Sequence, residues 1–267
     1  MASFSAPGLA VIGAGFLGRA VAEKAQKGGW RVFPVVRSEV SAQRLQPMFP
    51  DVRAVDAIAT DFWEKTVPSC EGMVWAMAPS RDRPEDDFLL MHRQGAVRAA
   101  GWARRRGIPF VYISSTSVYA EDGGGWVNED APVANDDPRA MAMVTAEKAC
   151  LRAGGAVLRC AGLYGRERIL RSEPEGPERW LNLIHVEDAA RAVGWGLRQR
   201  SQVYNVCENE PRARGKPGGT WPKETRRTRR NKKVSNARLR GLGWICLERE
   251  EPRAEAPNEP RKPGSMD

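Results

Sequence analysis

The chain has 267 residues, 42% of them apolar, with five cysteines, two histidines and a formal charge of +9. That length fits one large domain, or one domain with an appendage, and the composition is rich enough to bury a core; no apolar run approaches the roughly 18 residues of a membrane span, and the first eight residues are too short for a signal or transit peptide. Cys70, Cys150, Cys160, Cys207 and Cys246 lie scattered without a C-x-x-C pair, and only His92 and His185 could join them, so neither a disulfide framework nor a metal centre is expected and the cytoplasm is the expected compartment.

In chain order, Leu9 to Ile12 reads as a buried strand. It runs directly into Gly13-Ala14-Gly15-Phe16-Leu17-Gly18, a G-x-G-x-x-G, and then into a helical pattern from Phe16 to Lys27 that Gly28 and Gly29 stop. In that placement Gly13 makes the tight turn and Gly15 lets backbone approach a pyrophosphate. Gly18 lets the helix pack close on the strand, and the free N–H groups at the start of that helix bind the phosphates. The segment reads as a dinucleotide cradle, the alternative being a glycine-rich turn with no ligand. Arg31 to Val36 reads as a second buried strand, ending in Arg37 and Ser38. An NAD site carries an acidic residue about 20 residues beyond the glycines to hold the ribose 2′-hydroxyl. Arg37 stands there instead and suits a 2′-phosphate, which favours NADP over NAD; Glu39 blunts that charge, and an ordinary surface arginine is the alternative.

A short helix around Ser41–Phe49 and an edge strand at Val52–Val55 follow, then a short helix opened by Asp61 and Glu64 as a capping pair. Met73–Ala76 reads as a fourth strand. Asp86–Arg106 reads as a long helix with an apolar stripe of Phe88, Leu89, Met91, Val97 and Trp102, ended by Gly107. Phe110–Ile113 gives a fifth strand, Met141–Leu151 a helix, Ala156–Arg159 a strand, Val186–Arg198 a helix and Val203–Val206 a last strand. Strands alternating with helices predict an α/β fold, a doubly wound parallel sheet of Rossmann-like type. Ligands then bind outside the carboxyl ends of the strands, where Gly13, Arg37, Ala76 to Ala78, Ser114 and Ser115 fall.

From Pro211 the character changes, which divides the chain into residues 1–210, a basic segment at 211–247 and a charged, proline-rich tail at 248–267 expected to be disordered. Most of the net charge lies between Arg212 and Arg240, where Glu224 is the only acid. The run Arg226 to Lys233 fits a solvated loop best; salt-sensitive nucleic-acid binding, a localisation signal or an anionic-membrane patch are the other readings, and no aromatic stacking surface supports an RNA module.

The fifth strand ends in S-S-T-S-V-Y, Ser114 to Tyr119. With the N-terminal glycine motif, this resembles the extended short-chain dehydrogenase/reductase superfamily, which includes NAD-dependent epimerases and dehydratases of nucleotide sugars. Arg159 to Gly165 resembles its R-x-x-x-x-Y-G turn, His185 to Asp188 its H-V-x-D helix start, Tyr204 to Val206 its Y-N-V strand, and Ser235 to Trp244 its S-N-x-R-L ending. The resemblance implies a serine near the end of the fifth strand that orients substrate, which carries over to Ser115. It also implies a tyrosine in Y-x-x-x-K that transfers a proton while the lysine favours its phenolate. Those two do not carry over: counted back from Glu147, their places hold Arg139 and Met143, and no Y-x-x-x-K occurs in the chain. This resembles the atypical subgroup that keeps the glycine motif without the usual pair.

Tyr119 is then a candidate replacement, although the family carries a packing tyrosine there. Asp56 falls where the family contacts adenine. His185 and Asp188 read as structural residues at a helix entry, and Arg159 and Arg168 as candidate contacts for an anionic substrate or surface ion pairs. The resemblance also implies a small-molecule substrate bound by a C-terminal lobe, here reduced, and dimerisation through two long helices. Three readings remain: an NADP-dependent oxidoreductase or epimerase-like enzyme, a dinucleotide-binding sensor or scaffold without turnover, and a nucleic-acid-associated protein acting through residues 212–240.

Overall fold

The computed structural model of the chain describes residues 6–58, 63, 67–78, 84–170, 178–215 and 230–248. Seven strands form one parallel sheet. In chain order they are β1 (Gly8–Ile12), β2 (Arg31–Val36), β3 (Arg53–Ala54), β4 (Gly72–Trp75), β5 (Phe110–Ser115), β7 (Ala156–Cys160) and β11 (Val203–Val206), arranged β11-β7-β5-β4-β1-β2-β3. Leu9 lies beside Val32 of β2 and Gly72 of β4, which puts β1 at the point where the strand order reverses. In such sheets that crevice, at the carboxyl ends, is the ligand site.

The central strands are apolar nearly throughout because both faces are covered. Alternate residues feed two cores. Leu9, Val11, Val74, Val111 and Leu158 face one way, and α1 (Phe16–Lys27), α2 (Glu39–Leu45) and α6 (Val186–Gly196) cover them. Ala10, Ile12, Met73, Trp75, Phe110 and Tyr112 face the other, under α3 (Glu85–Leu90), α4 (Val97–Arg106) and α5 (Pro138–Arg152). No helix among the described residues is long and apolar enough to cross a membrane.

Three elements differ from the sequence expectation for local reasons. The helix expected at Ser41–Phe49 runs from Glu39 to Leu45, because the Ser38 hydroxyl caps it by accepting from the Ser41 N–H. The helix expected at Met141–Leu151, α5, starts at Pro138, not Met141, because Asp137 accepts from the Arg139 and Ala140 N–H groups and proline suits a first helical position. The long helix expected over Asp86–Arg106 is interrupted by a π turn at Met91–Ala96. There Gly95 is pressed on the sheet: a Cβ at Gly95 would lie 2.6 Å from a ring carbon of Trp75. The capping pair Asp61 and Glu64 lies outside the described residues.

Beyond the carboxyl ends of β5, β7 and β11 sit three two-stranded pairs and a short helix. They are β6 (Trp126–Val127) with β13 (Lys233–Val234), β8 (Gly162–Tyr164) with β10 (Leu183–His185), β9 (Arg179–Leu181) with β12 (Arg212–Arg214), and α7 (Ala237–Arg240). Segments from before and after residue 211 therefore interleave. Of the basic run, Arg226 to Arg229 lie outside the described residues. The rest is packed into the fold: Arg230 donates to the Ala120 carbonyl and pairs with Asp136, and Lys232 is buried. The Lys233 ammonium sits 5.4 Å and 5.1 Å from the ring centroids of Trp126 and Trp180.

Candidate functional site

The turn between β1 and α1 gives each glycine a separate duty. Gly13 has φ +96°, and a Cβ there would lie 2.6 Å from the Met77 amide nitrogen. At Gly18 a Cβ would lie 2.1 Å from the Gly13 carbonyl oxygen, so this glycine lets helix and strand close on each other. Gly15 differs: a Cβ there would meet nothing within 4 Å. It stands at the N-terminus of α1, where no side chain caps the helix among the described residues and no acid occupies the first turn. The Gly13 and Ala14 N–H groups donate to the Val35 carbonyl at 2.9 Å and 3.0 Å. The first-turn N–H groups of Phe16, Leu17 and Gly18 lack intrahelical acceptors, and the open face beside them is that of Gly15. An open, uncapped, electropositive helix start fits a pyrophosphate.

The neighbouring strand ends bring the other predicted residues to the same edge. Arg37 is exposed at the end of β2, next to Ser38, whose hydroxyl caps α2. Asp56 is exposed after β3 and accepts the Ile58 N–H at 2.9 Å. Ala76 donates its N–H to Ile12 at 2.8 Å, and Ala78 is exposed two residues on. Ser115, half-buried at the end of β5, accepts the Ser117 N–H at 3.1 Å and keeps its own hydroxyl proton to donate.

The residues beside Ser115 face inward. The Ser114 hydroxyl donates to the Glu147 carboxylate at 2.5 Å. Glu147 takes a two-point ion pair from Arg159, Nε at 3.0 Å and Nη2 at 2.7 Å, and both side chains are buried. Arg159 also donates to the Glu129 carbonyl at 3.2 Å and lies 4.8 Å from the centre of the Tyr119 ring. Tyr119 is 0% exposed and its hydroxyl donates to Asn205 Oδ1 at 2.6 Å. Burial pushes the Tyr119 phenol above its usual range, against the pull of Arg159. Arg159 is thus spent on Glu147, not offered to an anionic substrate. The sequence carries a signal for this: a charge in the middle of an apolar strand, Ala156–Cys160, must meet a partner when buried. Its identity, Glu147 on a helix that is otherwise apolar on that face, was not readable.

At the two positions where the resemblance expects tyrosine and lysine, the Arg139 guanidinium stacks on Phe88 at 4.0 Å and Met143 is buried. Below them His92 Nδ1 and the Tyr112 hydroxyl lie 2.7 Å apart, both buried. Burial, helped by the Arg139 charge, lowers the His92 imidazole to about 3. On the lobe side the Tyr164 hydroxyl donates to the buried Glu208, which also takes the Arg212 guanidinium at 2.9 Å. His185 caps α6 by accepting the Glu187 N–H at 3.3 Å. Asp188, 0% exposed in the first turn of α6, accepts the N–H groups of Leu247 and Glu248 and so ties the C-terminal segment to that helix.

The sequence profile of the NAD dependent epimerase/dehydratase family matches residues 9–182. Protein YeeZ of Escherichia coli K12 is 28% identical over 220 residues, which cover 74% of this chain and 77% of that protein. In fold the chain is similar to ADP-L-glycero-D-manno-heptose-6-epimerase of Helicobacter pylori, with TM-score 0.74 and 14% identity over 92% of this chain and 93% of that one. It is likewise similar to a short-chain dehydrogenase/reductase superfamily protein of Agrobacterium tumefaciens solved with bound NAD, with TM-score 0.72 and 14% identity over 91% and 93% of the two chains. The profile match runs from the first strand through the glycine cradle and the buried Arg159 strand into the lobe, and on that extent the chain belongs to the NAD dependent epimerase/dehydratase family.

Proposed function

We propose that this protein binds a pyridine dinucleotide across the carboxyl ends of β1, β2 and β4, with NADP preferred to NAD, and acts as an oxidoreductase or epimerase on a small, sugar-nucleotide-like substrate. The observation that carries the reading is the open face at Gly15, beside an uncapped helix start. The N–H groups of Phe16, Leu17 and Gly18 hold the pyrophosphate there. Arg37 meets a 2′-phosphate, Asp56 lies at the adenine end, and Ala76 and Ala78 line the crevice with small side chains. The bound cofactor supplies hydride exchange. Ser115 donates a hydrogen bond from its hydroxyl to the substrate oxygen while its own oxygen is fixed by the Ser117 N–H. With Tyr119 committed to Asn205 and made a weaker acid by burial, we assign the proton transfer to water or to a substrate group and the tyrosine to packing.

Titration of the purified chain with NADPH and NADH, followed by nicotinamide fluorescence, tests the cofactor assignment. One charge-assisted contact to the 2′-phosphate gives about tenfold tighter NADPH binding, lost in Arg37→Ala with NADH unaffected. Equal affinity for the two cofactors before and after the substitution would refute the role of Arg37.

A second reading, dinucleotide binding without turnover, is favoured by one observation: the chain contains no Y-x-x-x-K. Incubation with NADPH or NADP and a panel of sugar nucleotides separates the two, since any product formed at a rate proportional to protein excludes the inactive reading.

A further inference from the structure

The turn after Tyr164 lies along the cradle helix. Gly165 and Arg168 exchange backbone hydrogen bonds at 2.9 Å in both directions, which puts Arg166 and Glu167 at the tip of a tight hairpin. Gly165, with φ +99°, is pressed against His185, and a Cβ there would lie 2.2 Å from the imidazole Nε2. Arg166 adopts φ +52°, a left-handed conformation uncommon for a side-chain-bearing residue. Ion pairs hold it there: its guanidinium reaches both Glu23 carboxylate oxygens at 3.1 Å and 2.8 Å, and its Nε reaches Glu187 at 2.8 Å. Glu167 accepts from Arg19 at 3.3 Å, and the Arg168 guanidinium lies 4.4 Å from the centre of the Phe16 ring.

Three successive turn residues therefore touch Glu23, Arg19 and Phe16. Those positions are four and three apart, one face of a helix. Their order is reversed, so the turn runs as a strap toward the N-terminus of α1 and ends there. Helical side chains lean toward the N-terminus, so the ring of Phe16, the first residue of α1, projects past the first turn. The guanidinium on that ring is then at the N-terminal end of α1, the end that carries Gly15.

We propose that Arg168 is a phosphate-binding residue of the dinucleotide site. Its guanidinium, stacked on Phe16, donates to the same pyrophosphate oxygens that the N–H groups of Phe16 to Gly18 hold, and the ion-paired residues Arg166 and Glu167 set its position. A planar guanidinium suits this, since it stacks on an aromatic face while its edge donates to phosphate oxygens. The strap also joins the lobe to the cofactor helix, because Gly165 packs on His185 at one end and Arg168 reaches Phe16 at the other. This inference rests on the dinucleotide reading above.

The test compares wild type with Arg168→Met, which keeps an apolar stem on Phe16 and removes the charge. Arg168 is exposed, so thermal unfolding is expected to be unchanged. The affinity for NADPH and for NADH falls about tenfold, equally, because the pyrophosphate is common to both. That outcome differs from Arg37→Ala, which affects NADPH alone. Wild-type affinity of Arg168→Met for both cofactors would overturn the proposal while leaving the site reading standing. Loss confined to NADPH would also overturn it, since the contact would then be to the 2′-phosphate. Wild-type protein that binds neither cofactor would overturn the site reading itself, and the assignment of Arg168 with it.

Discussion

His92 shows how one buried side chain ties stability to pH. It sits in the π turn, 3% exposed, between Phe88 and the Tyr112 hydroxyl. Its folded pKa of about 3 lies below the ordinary value of 6.5, so the unfolded chain binds the proton more readily. Stability from this group is complete above about pH 6.5 and is lost as pH falls toward 3. At pH 4 the loss is roughly 3 kcal/mol, from about 1.4 kcal/mol per pH unit. Urea unfolding at pH 7 and pH 4 reads this, and His92→Gln, which cannot be protonated in that range, is expected to flatten the difference. An unchanged slope in the variant would mean that other groups carry the acid sensitivity. The same residue marks a limit of sequence reading. His92 stands at helical spacing from Phe88, yet nothing local indicates that its partner is Tyr112 on the central strand.

At the scale of elements, the buried pair Arg159 and Glu147 fastens α5 to β7, and Ser114 adds the end of β5. Its carboxylate is answered on both oxygens, and Arg159 is held further by the Glu129 carbonyl. Removing one partner leaves a bare charge in the core, which costs about 3–5 kcal/mol. Glu147→Ala is therefore expected to be severely destabilised in urea unfolding, while Glu147→Leu combined with Arg159→Met recovers most of the loss. A single variant within 1 kcal/mol of wild type would show, on the scale of such pairs, that the site admits water. Elements built from local rules were legible. β2, α1 and β11 have the limits read from the sequence, and Gly107 ends α4 with φ +65° as a left-handed cap. The errors were made by side-chain caps, at Ser38 and Asp137, and by the packing of Gly95 on Trp75, which turns a continuous helical pattern into a π turn. Caps are one-residue signals, and a glycine against a distant strand has no local signature at all.

For the molecule as a whole, the parallel sheet followed from alternation of strand and helix, and the cradle from the placement of three glycines directly after the first strand. The lobe was far less legible. Its strand pairs are two or three residues long and join segments as distant as Trp126 and Lys233, so no periodicity reveals them. The described half of the basic run, Arg230 to Lys233, reads as solvated by composition yet packs on Trp126, Trp180 and the Ala120 carbonyl. Burial lowers the Lys232 amine to about 8. Of the site residues, Gly13 to Gly18, Arg37, Asp56, Ala76 and Ser115 come together at one edge, whereas Ser114 and Tyr119 turn into the core. The strap from Gly165 to Arg168 was invisible because its partners lie on α1, more than 140 residues earlier.

The central claim is that the face of Gly15 holds a pyrophosphate, and fluorescence titration of wild type and Gly15→Ala with NADPH and NADH tests it most directly. A methyl group there touches no protein atom within 4 Å, so the variant is expected to keep the wild-type melting temperature. It would stand where the pyrophosphate approaches the protein backbone, so both affinities should fall at least about tenfold. Wild-type affinity in the variant, or no binding by the wild-type chain, would contradict the account.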